Sequence, residues 1–111
     1  MPGEYSEILE KRRRKDLKKL NVSFEPADAE PILGGVGYTF KFDNGYGASV
    51  ICHMGSYGGK DGLWELAVLS YIPESFGDGW HIDYTTEITN DVIGHLSDAD
   101  VDYYLQRISQ L

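Results

Sequence analysis

A chain of 111 residues, of which 41% are hydrophobic and 25% charged, has the size and composition of one globular domain that needs no disulfide or metal to fold. The single cysteine excludes an internal disulfide framework, and the short apolar runs predict neither a membrane span nor a secretory signal, so we expect a cytoplasmic protein with no membrane partner. The net charge of −8 is divided unevenly, because residues 1–20 hold seven basic and four acidic residues, whereas residues 21–111 hold three and fourteen.

The first 20 residues predict a basic helical segment. Over residues 5–20 Glu, Leu, Lys and Arg dominate, and neither Gly nor Pro occurs. A solvated helical face, a contact with the acidic remainder of the chain and a contact with nucleic-acid phosphate are alternative roles for its positive side. The candidate contacts for nucleic acid or an acidic partner are Lys11, Arg12, Arg13, Arg14, Lys15, Lys18 and Lys19.

A linker and a β-hairpin are predicted next. Pro26 and Pro31 mark residues 25–35 as a linker. Residues 36–42 alternate between apolar and polar or small side chains, which is the period of a half-buried strand, and a second strand follows over residues 46–54.

The Asp-Asn-Gly turn of this hairpin, residues 43–45, fixes a predicted register. A two-residue turn would pair Phe40 with Ser49 and mix polar groups into the aromatic face. A three-residue loop with Gly45 in the left-handed conformation pairs Phe40 with Ala48 and keeps that face apolar. We therefore predict the three-residue loop.

Two further strands are predicted from the central part of the chain. Residues 63–71 are apolar on both sides apart from Glu65, which is typical of a central strand. Residues 81–89 alternate and predict the fourth strand, and residues 90–96 predict a turn or a short helix.

The last element is a C-terminal helix over residues 97–110. Ser97 can cap it in a capping-box pattern, and apolar residues follow at helical spacing. The sequence thus predicts one α+β domain: a four-stranded antiparallel β-meander over residues 36–89, with an N-terminal basic helix and a C-terminal helix packed on the sheet.

The glycines and soft ligands lack the spacing that catalysis or cofactor binding requires. Lys60 follows Gly59 as at the end of a phosphate-binding loop, but Asp61 stands where Ser or Thr would hold magnesium. Cys52 and His53 are neighbours in a predicted strand and point to opposite faces, which disfavours a shared metal or a nucleophile pair. We predict no cofactor, no metal and no enzymatic activity.

A candidate partner-binding surface lies where two connections of the meander share one end of the sheet. Aromatic rings set among carboxylates there would supply contact area and charge complementarity to a basic protein surface. Alternatively, Phe76 and Trp80 fold back and cover the edge of the core. The candidate residues are Asp43, Tyr46, Glu74, Phe76, Asp78 and Trp80.

Three blocks of the sequence resemble small proteins of unassigned function encoded by bacteriophages. They read FDNGYGASV at residues 42–50, SYGGKDGLWELAVL at residues 56–69 and DVIGHL at residues 91–96. The basic N-terminal segment lies outside this resemblance. The resemblance implies a phage origin and action inside a bacterial host cell. It provides no active-site residues that could be assigned to this chain.

These observations favour a phage-encoded, non-enzymatic interaction protein. Through its acidic and aromatic surface it would bind a bacterial host protein, such as a host-defence or nucleic-acid-binding protein, and inhibit or redirect it. The alternative is a nucleic-acid-binding accessory protein that uses residues 11–19. A small enzyme that combines His53, His81 and His95 with carboxylates is the third hypothesis, and a homodimer stays an open alternative.

Overall fold

Residues 17–111 form an antiparallel sheet covered on one face by one helix. The computed structural model describes residues 17–111. Within this range, no helix is long and apolar enough to cross a bilayer. The elements are β1 (Asp28–Ile32), β2 (Gly35–Lys41), β3 (Tyr46–Cys52), β4 (Trp64–Tyr71), β5 (Trp80–Ile82), β6 (Ile93–Leu96) and α1 (Asp98–Ser109), with a short 3₁₀ turn at Gly59–Asp61.

The β2–β3 hairpin has the predicted register. Phe40 pairs with Ala48, and Tyr38 pairs with Val50. Gly45 has a φ of +84°, as the three-residue loop requires. The alternation of apolar side chains and the local turn chemistry therefore determine this part of the fold.

Strand β4 is the central strand of the sheet, as predicted. It pairs with β3 along one edge. Its other edge is shared, because β6 pairs near Trp64 and β5 pairs near Tyr71. The first five strands follow one another in chain order across the sheet, so the antiparallel α+β prediction is confirmed.

The predicted count of four strands is wrong, because the sheet has six. The predicted linker over residues 25–35 contains β1, which pairs with β2 at the outer edge. The acidic residues of this strand and Pro31 are typical of an edge strand, where a missing backbone donor is tolerated. Residues 93–96, predicted as a turn or short helix, form β6.

The predicted fourth strand over residues 81–89 is too long, because β5 ends at Ile82. Side chains that bond to nearby backbone amides break it. The Asp83 Oδ1 atom accepts hydrogen bonds from the backbone N and the Oγ1 of Thr85 at 2.8 and 2.5 Å. The Thr86 hydroxyl likewise accepts one from the N–H of Ile88 at 3.3 Å. Such local bonds compete with a strand ladder.

The predicted N-terminal helix lies outside the described residues up to residue 16. Its last four predicted residues, 17–20, are not helical. Instead, Leu17 and Leu20 pack against the core, and the hydroxyl of Tyr38 donates a hydrogen bond to the carbonyl of Lys18 at 2.6 Å. The end of this segment therefore belongs to the packed domain.

Helix α1 begins with the predicted capping box. The Ser97 hydroxyl accepts from the Asp100 N–H at 3.1 Å, and the Asp100 carboxylate accepts from the Ser97 N–H. The buried side of α1 packs on one face of the sheet. The largest fully buried side chains are Val36, Phe40, Val50, Trp64, Leu66, Val68, Val101, Leu105 and Ile108.

The N-terminal end of α1 is tied to residues 21–23 through two carboxylates. Asp98 accepts hydrogen bonds from the indole Nε1 of Trp64 at 2.7 Å and from the N–H of Asn21 at 3.2 Å. Asp102 accepts from the N and Oγ of Ser23 at 2.8 and 2.9 Å. These charge-assisted bonds hold the first described residues beside the helix.

Candidate partner-binding edge

Two turns meet at one end of the sheet. The β2–β3 turn and the β4–β5 loop are joined by a hydrogen bond from the N–H of Tyr71 to the carbonyl of Gly45 at 2.9 Å. The β3–β4 and β4–β5 registers place Tyr46 opposite Ser70, and Tyr71 opposite Trp80. The structure therefore brings together the two connections that the meander predicts as neighbours.

The β4–β5 loop is held by its own hydrogen bonds. The N–H of Ile72 donates to the carbonyl of Gly79 at 2.7 Å, which closes the loop at its base. The carbonyl of Ile72 accepts from the N and the Oγ of Ser75 at 3.1 and 2.6 Å. The loop presents Phe76, whose side chain is 95% exposed. Phe76 therefore does not cover the core.

Two further rings form a platform beside this loop. The rings of Tyr71 and Trp80 have centroids 5.4 Å apart. Tyr71 is 47% exposed and Trp80 is half-buried. The Nζ of Lys41 lies 5.6 Å from the centroid of the Trp80 ring, within the range of a cation–π contact.

Three exposed carboxylates lie on the same two connections as the rings. Asp43, Glu74 and Asp78 are exposed. The Oδ1 of Asp78 accepts a hydrogen bond from the N–H of Trp80 at 3.0 Å, which orients that carboxylate at the base of the loop. We call these three carboxylates, with Tyr71, Phe76 and Trp80, the acidic–aromatic edge. Lys41 offsets one of its three negative charges.

Tyr46 differs from the other predicted contact residues, because it is partly buried and packs against the core. Its neighbour Asn44 donates from Nδ2 to the carbonyls of Ile108 and Leu111 at 2.9 and 3.2 Å, and so satisfies carbonyls at the end of α1. This part of the turn holds the helix in place.

Tyr71 and Ile72 are exposed apolar residues beside the loop that sequence reasoning did not single out. Each is 47% exposed at the end of β4. Tyr71 is the last residue of β4 and Ile72 follows it, so the apolar run of this strand does not show that they are exposed. The one sequence signal beside them is Pro73, which cannot donate to a strand ladder and therefore marks the end of the strand.

The residues considered for catalysis or metal binding lie at opposite ends of the sheet. His81 contacts the Ser75 hydroxyl in the β4–β5 loop. The same hydroxyl also donates to the Ile72 carbonyl, so it is part of the bonding that holds the loop. Cys52 and His53 lie at the opposite end, where Cys52 is buried. Within residues 17–111, no group of three or more His, Cys, Asp or Glu side chains could hold a metal ion.

Most of the predicted basic contact set, Lys11 to Lys15, lies outside the described residues. Lys18 and Lys19 lie in the described segment and are exposed. The Nζ of Lys18 is 5.6 Å from the centroid of the Trp64 ring, so this lysine contacts the domain itself.

Comparisons with protein-family models, with curated proteins and with solved structures found no match to this chain. The assignment of the acidic–aromatic edge as a candidate site therefore rests on the exposure, contacts and charges of its own residues.

Proposed function

We propose that this protein is a non-enzymatic interaction protein whose acidic–aromatic edge binds a basic surface on another protein. The observation that carries the proposal is the 95% exposure of Phe76 on a loop held by hydrogen bonds between Ile72, Ser75 and Gly79. A loop held in this way loses little backbone entropy when its ring is bound, and aromatic anchors contribute much of the energy of protein interfaces.

Charge favours a basic partner. Residues 17–111 hold fourteen acidic and five basic residues, so the described part of the chain attracts cationic surfaces and repels phosphate backbones. Glu74 and Asp78 lie on either side of Phe76 in the sequence, so a ring contact brings both carboxylates toward the partner.

The proposed partner is a bacterial host protein, which the protein inhibits or redirects. The resemblance to phage-encoded proteins supports this setting. A host nucleic-acid-binding protein suits the edge, because its basic groove already accommodates negative charge and aromatic stacking. Occupation of that groove would compete directly with nucleic acid.

The test is an affinity capture from bacterial lysate with the unaltered chain and with Phe76→Ala. Loss of a buried aromatic anchor costs about 2 kcal/mol or more, which corresponds to about 30-fold weaker binding. Tyr57→Ala is the matched control, because Tyr57 is an exposed ring at the opposite end of the sheet. Capture of the same proteins in equal amounts by all three chains would refute the proposed edge.

The role of the edge carboxylates is tested by measuring the rate of association. Glu74→Gln with Asp78→Asn should slow association with the captured partner and reduce its salt dependence, because edge charges steer encounter. The Asn at position 78 keeps an acceptor for the Trp80 N–H. Glu25→Gln with Asp28→Asn removes the same charge from exposed positions elsewhere and should leave the rate closer to that of the unaltered chain.

A nucleic-acid-binding accessory role is the second proposal. It is favoured by the concentration of seven of the ten basic residues within residues 11–19. It predicts a gel shift of DNA or RNA at low salt that weakens steeply as salt rises. Neutralising Arg12, Arg13 and Arg14 should abolish that shift, and binding that persists in this variant would contradict the role.

A further inference from the structure

A cleft of about 340 Å³ lies at the opposite end of the sheet from the acidic–aromatic edge. It is formed where the β1–β2 turn, the end of β3 and the 3₁₀ turn meet. Two glycine-rich turns that are far apart in the sequence contribute to it, one at Gly34 and Gly35 and the other at Gly59 and Gly62. Its volume falls within the range of small-molecule pockets.

The charge of this cleft is opposite to that of its surroundings. Lys18 and Lys60 line it, and none of its lining residues is acidic. Two of the five basic residues within residues 17–111 therefore share one cleft, although fourteen acidic residues occupy the same part of the chain. Asp61 lies next to it and lines a neighbouring depression of about 190 Å³ together with Lys60 and His95.

His53 adds a ring N–H donor. Its Nδ1 accepts a hydrogen bond from the N–H of Gly55 at 3.0 Å, which leaves Nε2 as the ring nitrogen that can donate. His53, Lys18 and Lys60 all belong to the lining of the cleft. Two ammonium groups and one imidazole N–H form a donor set suited to an anion with several acceptor oxygens.

Close packing keeps side chains out of the base of the cleft. A Cβ atom on Gly59 would lie 1.7 Å from the carbonyl oxygen of His53, and one on Gly35 would lie 1.9 Å from the carbonyl oxygen of Cys52. Glycine is therefore needed at both positions for the turns to approach the end of β3. The lysines and the histidine supply the polar side chains around this backbone floor.

We propose that this cleft binds the phosphoryl group of a small phosphorylated molecule. Phosphate offers several acceptor oxygens and a charge of −1 to −2, which two lysines can match. The acidic surroundings disfavour a long polyanion, because the repulsion grows with each added phosphate outside the cleft. This inference is independent of the partner-binding edge, since the two surfaces lie at opposite ends of the same strands.

The experiment is a residue-resolved NMR titration of the full chain with inorganic phosphate and, separately, with a nucleoside monophosphate. Saturable shifts at the amides of Gly59, Lys60 and Gly62 are expected with either probe. A monophosphate that binds more tightly than phosphate would indicate that the cleft also contacts the attached group, and equal affinity would indicate that the phosphoryl group alone is bound. Both results support the proposal.

Charge-neutralising variants locate the site. Lys18→Gln and Lys60→Gln should each weaken phosphate binding about tenfold, the effect of losing one charge-assisted bond. Lys41→Gln is the matched control, because it removes the same charge at the opposite end of the sheet and should leave the affinity unchanged. Thermal unfolding of each variant checks that the domain is folded.

Three outcomes would overturn the proposal. They are the absence of saturable shifts, an equal loss of affinity in Lys41→Gln, and shifts confined to residues 11–15 that disappear when Arg12, Arg13 and Arg14 are replaced by Gln. Binding of a single-stranded oligonucleotide without binding of either small probe would also refute it, and would favour the nucleic-acid-binding role.

Discussion

The two ends of the sheet use the same residue types in opposite ways. At the end where α1 begins, Asp98 and Asp102 accept hydrogen bonds from Trp64, Asn21 and Ser23, and so join separate parts of the chain. At the acidic–aromatic edge, the carboxylates are exposed and stand beside an exposed ring. A carboxylate therefore stabilises this fold where N–H groups converge on it, and it is available to a partner where it lies on a loop.

Glycine substitutions at the two ends should give the largest difference in the free energy of unfolding. Gly59→Ala at the packed end should lower the free energy of unfolding by about 3 kcal/mol, because its Cβ would overlap the His53 carbonyl oxygen. Gly45→Ala at the other end should cost about 1 kcal/mol, since Gly45 has positive φ but no atom within 4 Å of an added Cβ. Urea unfolding measures both, and equal losses would contradict the difference in packing.

The carboxylates give the next largest effect. Asp98→Ala should cost about 2 kcal/mol, because the indole N–H of Trp64, a side chain only 1% exposed, would lose its acceptor. Asp98→Asn should retain part of that energy, since an amide oxygen can still accept the bond. Glu74→Ala should change the free energy of unfolding by less than about 0.5 kcal/mol. A similar loss in Asp98→Ala and Glu74→Ala would show that Asp98 is not structural.

Tyr38 gives the smallest effect and a dependence on pH. Burial raises the pKa of Tyr38 above 10.0, and the nearby Asp98 carboxylate adds to the rise. Its contribution to stability is therefore fully present below pH 10 and is lost as the pH rises through the higher pKa of the folded state.

Tyr38→Phe should cost about 1 kcal/mol at neutral pH through loss of the hydrogen bond to the Lys18 carbonyl, and should make unfolding less sensitive to alkali. Tyr84→Phe is the control, because Tyr84 is about half exposed and should change little. Chemical unfolding between pH 7 and 11 measures both variants. An unchanged alkaline slope in Tyr38→Phe would contradict the assignment.

Local signals predicted the hairpin and the last helix. The Asp-Asn-Gly turn and the alternation around Phe40 fix the register, and Ser97 with Asp100 fixes the start of α1. Strands β1 and β6 were missed because neither has an alternating apolar pattern, and both depend on partners supplied by the rest of the sheet. Pairing of this kind cannot be read from the strand alone.

The sequence predicts which two connections lie together at the candidate site, but not which of their side chains are exposed. The meander order places the β2–β3 turn beside the β4–β5 loop, and Phe76 and the carboxylates follow from that order. The pattern could not show that Tyr46 packs inward while Tyr71 remains half exposed. That choice depends on the twist of the strand ends and on the loop hydrogen bonds, which arise only when the sheet has formed.

The bond between Asn44 and the carbonyls of Ile108 and Leu111 has a practical consequence for interaction experiments. It fixes the last residue of the chain beside the β2–β3 turn, a short distance from the acidic–aromatic edge. An affinity tag fused after Leu111 would begin next to the surface under study and could shield it. Bait proteins for lysate capture should therefore carry the tag before Met1, with a C-terminally tagged chain as a test of steric interference.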